Sequence, residues 1–313
     1  MKTDKIKAHV AILTANIIFG LGIPVTAYLL SDWLSPMTYM ALRCVGAAII
    51  FWIIAAFMPK EKIEKRDLAI ILAGGLLGFV VSQTLTAWAL VYTTPVYFSL
   101  IATLVPVITM LMAAAFLGER YNLLQTTGII IGIAGALLMV VMGWQNGTGK
   151  NDLLGIFLTL MSLLTWVVYL IITRKVSQKY TPVTQMKWIF LISAVVVLPF
   201  AWQECPEAPL LAPLLEKTSA NMPLTSYLPG ISAILFIIIF ATVLGFFAIP
   251  YAMKSLEATT VSIYTNLQPV VASIVAFVIG QDVLTWDKPA AGALVLLSAY
   301  IVGTAKSSTR QDK

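Results

Sequence analysis

The stretch Thr94–Gly128, TPVYFSLIATLVPVITMLMAAAFLGERYNLLQTTG, decides how this chain is read. An apolar run with a proline near its middle, Pro106, stops at Gly118-Glu119-Arg120 and gives way to a second apolar run. The same plan returns at Thr259–Gly292, TTVSIYTNLQPVVASIVAFVIGQDVLTWDKPAAG, where Pro269 stands in the place of Pro106. At a constant offset of 163, Ala89 falls on Ala252, Ser99 on Ser262, Leu104 on Leu267 and Val107 on Val270. After the proline, one residue must be dropped to set Gly118 on Gly280. A weaker echo at offset 146 sets Pro36, Thr38 and Met40 on Pro182, Thr184 and Met186. Repetition on this scale means two copies of one unit, which divide the chain into residues 1–148 and 149–313.

Composition says what surrounds those copies. Hydrophobic residues make up 59% of the chain and charged residues 11%, and the mean hydropathy is +0.92. A water-soluble domain of this length cannot hide so much apolar surface. A spanning helix needs roughly 20 mostly apolar residues to cross the hydrocarbon core. Ten segments qualify: 8–30, 36–58, 67–90, 94–117, 122–143, 152–173, 182–202, 228–252, 258–280 and 287–305. None shows the two-residue alternation of a membrane barrel, so helices must satisfy the backbone. The expectation is an all-α membrane protein of ten transmembrane helices. The first segment is too long for a signal-peptide core and lacks a cleavage site, so it is read as a retained helix.

The net charge of +6 is not a nucleic-acid signal, because its placement follows the membrane. With the N-terminus inside, fifteen of the 20 basic residues lie in inner segments and only Lys150, Lys217 and Lys288 in outer ones. This bias puts both termini in the cytoplasm. Five helices per copy is an odd number, so the second copy enters the membrane inverted. Inverted repeats flank a central site that can face either side in turn.

Chemistry-bearing groups are sparse. None of the 14 acidic residues lies deep in a predicted span, and the single histidine, His9, sits at an edge. No metal cluster, phosphate loop or nucleophile elbow is present, so neither an enzyme nor a cofactor or metal is expected. Cys44 and Cys205 give no disulfide framework. Arg43 lies about two turns into the second span, where a charge costs several kcal/mol unless it snorkels or finds partners. It either has a structural role or snorkels to the outer interface, or it faces the solute path. Lys187 fits snorkelling better. At mid-depth the polar and aromatic residues Asn16, Gln83, Tyr97, Ser99, Trp166, Tyr169, Tyr264, Asn266 and Gln268 are candidates for lining a cavity, since buried amides and hydroxyls need partners. Trp88, Tyr92 and Trp144 fit an interfacial belt instead. Gly20, Gly22, Pro24, Pro106 and Pro269 are candidate hinges, although small residues also permit close packing.

Ala89-Leu-Val-Tyr-Thr93, Ser99, Leu104-Val-Pro-Val107 and Phe116-Leu-Gly-Glu-Arg120, with Gly128 beyond, resemble the repeat of EamA-type transporters, within the drug/metabolite transporter superfamily. Tyr251–Ser255, Leu267–Val270 and Gly280-Gln-Asp282 are similar, and Pro36 with Arg43 resembles the second-helix pattern. One departure is Gln281, where the family pattern implies a glutamate. The resemblance covers nearly the whole chain. It implies a ten-helix basket around a central cavity and a secondary transporter, commonly an exporter, of small organic metabolites or amphipathic compounds through a bacterial inner (plasma) membrane. The implied partners are a small-molecule solute and the lipid bilayer. A different class of reading is a membrane scaffold or sensor that binds a lipid or partner protein without transport.

Overall fold

Three helices start in the same way, with Ser or Thr followed by Pro. Ser35, Thr94 and Thr181 cap their helices by accepting hydrogen bonds from the backbone N–H of Thr38, Tyr97 and Thr184. The following prolines occupy the first helical turn, where a missing N–H costs nothing. The computed structural model describes residues 2–117, 151–211, 224–256 and 258–280 continuously, with isolated positions between 123 and 138 and between 293 and 301. Their elements are α1 (Lys2–Asp32), α2 (Pro36–Ala56), α3 (Lys65–Tyr92), α4 (Pro95–Ala102), α5 (Val105–Leu117), α6 (Asp152–Lys179), α7 (Pro182–Glu204), α8 (Thr225–Met253), α9 (Ala258–Ile263) and α10 (Leu267–Val278).

The architecture is all-helical among the described residues, and eight candidate spans are long and apolar enough to cross a membrane. α4 with α5 makes one of them, and α9 with α10 another. The predicted spans 122–143 and 287–305 lie outside the continuously described residues, as do Gly118-Glu119-Arg120 and Gln281. Two isolated helical positions in those stretches touch: Ser298 Oγ donates to the Gly128 carbonyl at 2.6 Å. Cys44 and Cys205 are free.

Irregularities fall at matched places. α3 widens into a π-helical segment at Gly75–Val81, and α8 does so at Ile237–Leu244. At offset 163 the first maps onto 238–244. The fourth and eighth candidate spans both break just before a proline. α4 ends at Ala102, and the amides of Thr103 and Leu104 turn to carbonyls three residues back, Leu100 and Ile101. α9 gives way to a 3-10 turn at Tyr264–Asn266 before α10. Pro106 and Pro269 remove the N–H that would have bonded the carbonyls of Ala102 and Thr265. In each break a threonine hydroxyl takes a carbonyl instead, Thr103 on Leu100 and Thr265 on Ser262, both at 2.6 Å.

By contrast, α1 continues unbroken through Gly20, Gly22 and Pro24. A Cβ on Gly20 would stand 2.7 Å from Val271 Cβ, so this glycine lets α10 lie directly on α1. Gly78 does the same for α3, since any side chain there would overlap Tyr169 of α6. The α2–α7 pair is joined by Phe51 stacked on Phe190 at 5.5 Å. Lys187 lies over the rings of Trp52 and Trp188, at 5.3 and 5.9 Å, which keeps its ammonium beside aromatic faces.

Candidate functional site

Each helix around the centre contributes one stripe of side chains at three- or four-residue spacing. α1 presents Ile12, Asn16, Phe19, Ile23 and Thr26, and α2 presents Tyr39 and Arg43. α3 adds Ser82, Gln83, Thr86 and Leu90, and α6 adds Ser162, Trp166 and Leu170. Phe98, Ala102 and Val105 come from α4 and the start of α5. Ile237, Ala241, Phe246 and Ile249 come from α8, and Val261, Ser262, Thr265 and Gln268 from the α9–α10 pair. Together they line a half-open cavity with about 960 Å³ of space free of protein atoms, open solvent included.

Of the nine residues expected to line it, the structure brings four together: Asn16, Gln83, Trp166 and Gln268. Arg43 and Gly22 join them. The other five stand elsewhere for reasons of helical phase. Tyr97 and Ser99 flank Phe98 on α4 and are buried, Ser99 donating to the Val96 carbonyl at 2.9 Å. Tyr169 turns onto Gly74 and Gly78 of α3. The 3-10 turn Tyr264–Asn266 contains Thr265, and the three-residue steps from Ser262 to Thr265 to Gln268 carry the stripe past Tyr264 and Asn266. Tyr264 instead meets His9 Nδ1 through its hydroxyl at 2.7 Å. Asn266 Oδ1 is buried with no hydrogen-bond partner among the described residues.

Residues missed by sequence reasoning share a simple signal. Thr86 lies one turn from Gln83, Thr265 one turn from Gln268 and Ser162 one turn from Trp166. Stepping along the helix from any one anchored residue would have found them.

The polar groups are held in several small networks. Asn16 Nδ2 donates to the Ile12 carbonyl at 2.8 Å, which leaves its oxygen to accept from Gln268 Nε2 at 2.7 Å. Ser82, Thr86 and Ser162 close a hydroxyl cluster between α3 and α6, with Thr86 and Ser162 oxygens 2.8 Å apart. Tyr39 and Thr26 hydroxyls meet at 2.8 Å.

Aromatic groups form the remaining wall. Phe246 is its hub, with ring centroids of Phe79 at 4.9, Phe19 at 5.5 and Trp166 at 5.7 Å. Arg43 is only 5% exposed. Its Nε donates to Thr242 Oγ1 at 2.9 Å and one Nη1 hydrogen to Gln83 Oε1 at 3.2 Å. Its guanidinium carbon sits 5.1–5.9 Å from the ring centres of Tyr39, Phe79 and Phe246. Snorkelling to an interface does not describe this position: the head group is inside the bundle, on the cavity. Among the described residues the cavity is thus lined by amides, hydroxyls, the Arg43 guanidinium and a ring wall. Among the described residues, no cluster of His, Cys, Asp and Glu has the makings of a metal site.

Comparison with known proteins gives the family and a likeness of fold. The profile of the EamA-like transporter family matches residues 6–141 and 153–304. An uncharacterized transporter of Archaeoglobus fulgidus is 25% identical over 270 residues, covering 86% of this chain and 89% of its own. A probable terminal-alkyne amino-acid exporter of Streptantibioticus cattleyicolor is 26% identical over 238 residues, covering 75% of this chain and 73% of its own. A protein crystal structure superposes with a TM-score of 0.63 at 18% identity, covering 95% of this chain and 97% of the other, a likeness of fold alone. The chain is a multi-pass membrane protein and belongs to the EamA-like transporter family.

Proposed function

We propose that the chain is a secondary transporter that moves small organic metabolites or amphipathic compounds outward by alternating access. The observation that carries this reading is that the cavity is lined from both family-matched regions. Asn16, Arg43 and Gln83 come from the first, and Trp166, Phe246 and Gln268 from the second. A chamber between two similar units is where exchange of their conformations alters access. The matched π segments of α3 and α8, and the matched proline breaks, support two five-helix repeats, residues 1–148 and 149–313, in opposite orientation. The distribution of basic residues supports cytoplasmic termini and a bacterial inner-membrane location. Outward transport is also what the name of the Streptantibioticus relative states for that protein.

The test is counterflow in proteoliposomes with a panel of radiolabelled amino acids and aromatic acids. Trp166→Ala and Asn16→Ala should each slow the accumulated solute by about tenfold, a loss of roughly 1.4 kcal/mol in transition-state stabilisation. Wild-type liposomes that accumulate nothing from the panel, or variants that match wild type, would overturn the cavity as the transport path.

A further inference from the structure

Arg43 is a buried cation whose partners are all neutral. Among the described residues its hydrogen-bond and ring partners are Thr242, Gln83, the Met40 sulfur and three aromatic rings, and no carboxylate pairs with it. A guanidinium cannot shed its proton, so desolvation leaves a standing penalty that hydrogen bonds and ring faces only partly offset. Nη1 spends its hydrogens on Gln83 and Met40, and Nε spends its one on Thr242. Both hydrogens on Nη2 have no hydrogen-bond acceptor among the described residues.

Gln83 sharpens the point. Arg43 is only a donor, so the Gln83 oxygen must face it, and this fixes the amide nitrogen on the other side. Gln83 also lines the cavity, and its Nε2 has no acceptor among the described residues. Two neighbouring groups, one charged, therefore present unspent N–H donors to the chamber. Next to them stands the ring wall: Phe246 is 5.9 Å from the guanidinium, with Phe19 and Trp166 beyond it.

We infer that this chamber selects organic monoanions with an apolar or aromatic body, the anionic group held by Arg43 and the Gln83 amide and the body lying on the Phe246 wall. The inference rests on the transporter reading and names its solute class. A carboxylate is the anion best matched to a guanidinium fork. It also supplies the counter-charge that the surrounding residues lack.

The experiment measures equilibrium binding to purified protein in lipid nanodiscs at neutral pH. The probes share one body and differ in one group: 3-phenylpropionate, 3-phenylpropan-1-ol and 3-phenylpropylamine. The acid should bind at least about tenfold tighter than the alcohol or the amine. Arg43→Gln should remove about tenfold or more of acid affinity while alcohol affinity stays within about twofold. Arg43→Lys, which keeps the charge but loses the fork, should fall between. Gln83→Leu should weaken the acid alone, and it carries the test if Arg43→Gln does not fold. Equal binding of the three probes, no binding of the acid, or acid affinity indifferent to Arg43 and Gln83 would each overturn the inference. Counterflow of the same probes separates the two claims. Acid that binds through Arg43 but never crosses defeats the transporter reading and leaves the anion site. Alcohol or amine that crosses while the acid does not bind defeats the anion site and leaves transport.

Discussion

The paired helices α4–α5 and α9–α10 have the same break before the same proline, yet they do opposite work. Three of their cavity-facing positions coincide at offset 163, Phe98 with Val261, Ala102 with Thr265 and Val105 with Gln268, while Ser262 faces the cavity and its counterpart Ser99 does not. The first set is apolar throughout. The second includes a hydroxyl and an amide. Burial differs as well, since all eight residues of α4 are buried whereas α10 exposes Val270, Ile274 and Phe277. The contrast reverses on the neighbouring pair: Gln83 and Thr86 of α3 stand where α8 has Phe246 and Ile249. Repeated backbone thus carries unrepeated side chains. The divergence puts amides and hydroxyls on α3 and on α9–α10, and apolar side chains at the matched positions of α8 and α4.

The strongest way to break the contrast is to remove its apolar anchor. Phe98→Ala should cost about 3–5 kcal/mol, as large-to-small changes in packed sites do, against about 2 kcal/mol for Val261→Ala at the matched position. Thermal unfolding in detergent measures both, and equal losses would mean that α4 is no more embedded than α9. Next comes the polar side. Gln268→Val copies the residue that the other repeat uses, leaves the Asn16 oxygen without its 2.7 Å donor, and should cost about 1–3 kcal/mol. Counterflow should fall with it. A variant as stable and active as wild type would show that the α1–α10 amide bridge is dispensable.

Much of this was legible in the sequence because it depends on local chemistry. Ser35-Pro36, Thr94-Pro95 and Thr181-Pro182 announce helix starts, and Pro106 and Pro269 announce breaks. Apolar length placed the eight described spans to within a few residues, although α1 starts at Lys2, ahead of the start predicted at 8, and α6 runs on to Lys179, beyond the end predicted at 173. The site was legible only by depth. Hydropathy makes Tyr97, Ser99, Tyr169, Tyr264 and Asn266 candidates for mid-membrane depth. It does not tell which face of a helix turns inward when every face is apolar. That phase is fixed by tertiary features: the Gly78 saddle that receives Tyr169, and the 3-10 turn that carries the stripe past Tyr264. Arg43 was the exception in kind, because its charge required partners that only the fold could name.

A smaller effect tests burial with identical residues. Val107 is 2% exposed and its repeat partner Val270 44%. Val107→Ala should cost about 1–2 kcal/mol through lost packing, whereas Val270→Ala should cost close to nothing, because lipid tails are as apolar as the side chain removed. Similar melting shifts for the two would place α10 against protein rather than lipid.

The smallest change in stability, and the sharpest question about motion, concerns the prolines themselves. Pro106→Ala and Pro269→Ala each restore an N–H that can bond the carbonyl four residues back, which should stabilise the chain by no more than about 1 kcal/mol. Their effects on transport should differ. α4 is enclosed on every side, so bending at Pro106 requires its neighbours to move too. α10 has one open face, and its break is a 3-10 turn whose hydrogen bonds are weaker than those of an α-helix. A hinge works where few contacts must be broken to move it. Pro269→Ala should therefore slow counterflow by about fivefold, and Pro106→Ala by less than about twofold. Equal slowing would assign motion to both repeats alike. The reverse order would make the buried helix the moving one, and the lipid-facing helix its frame.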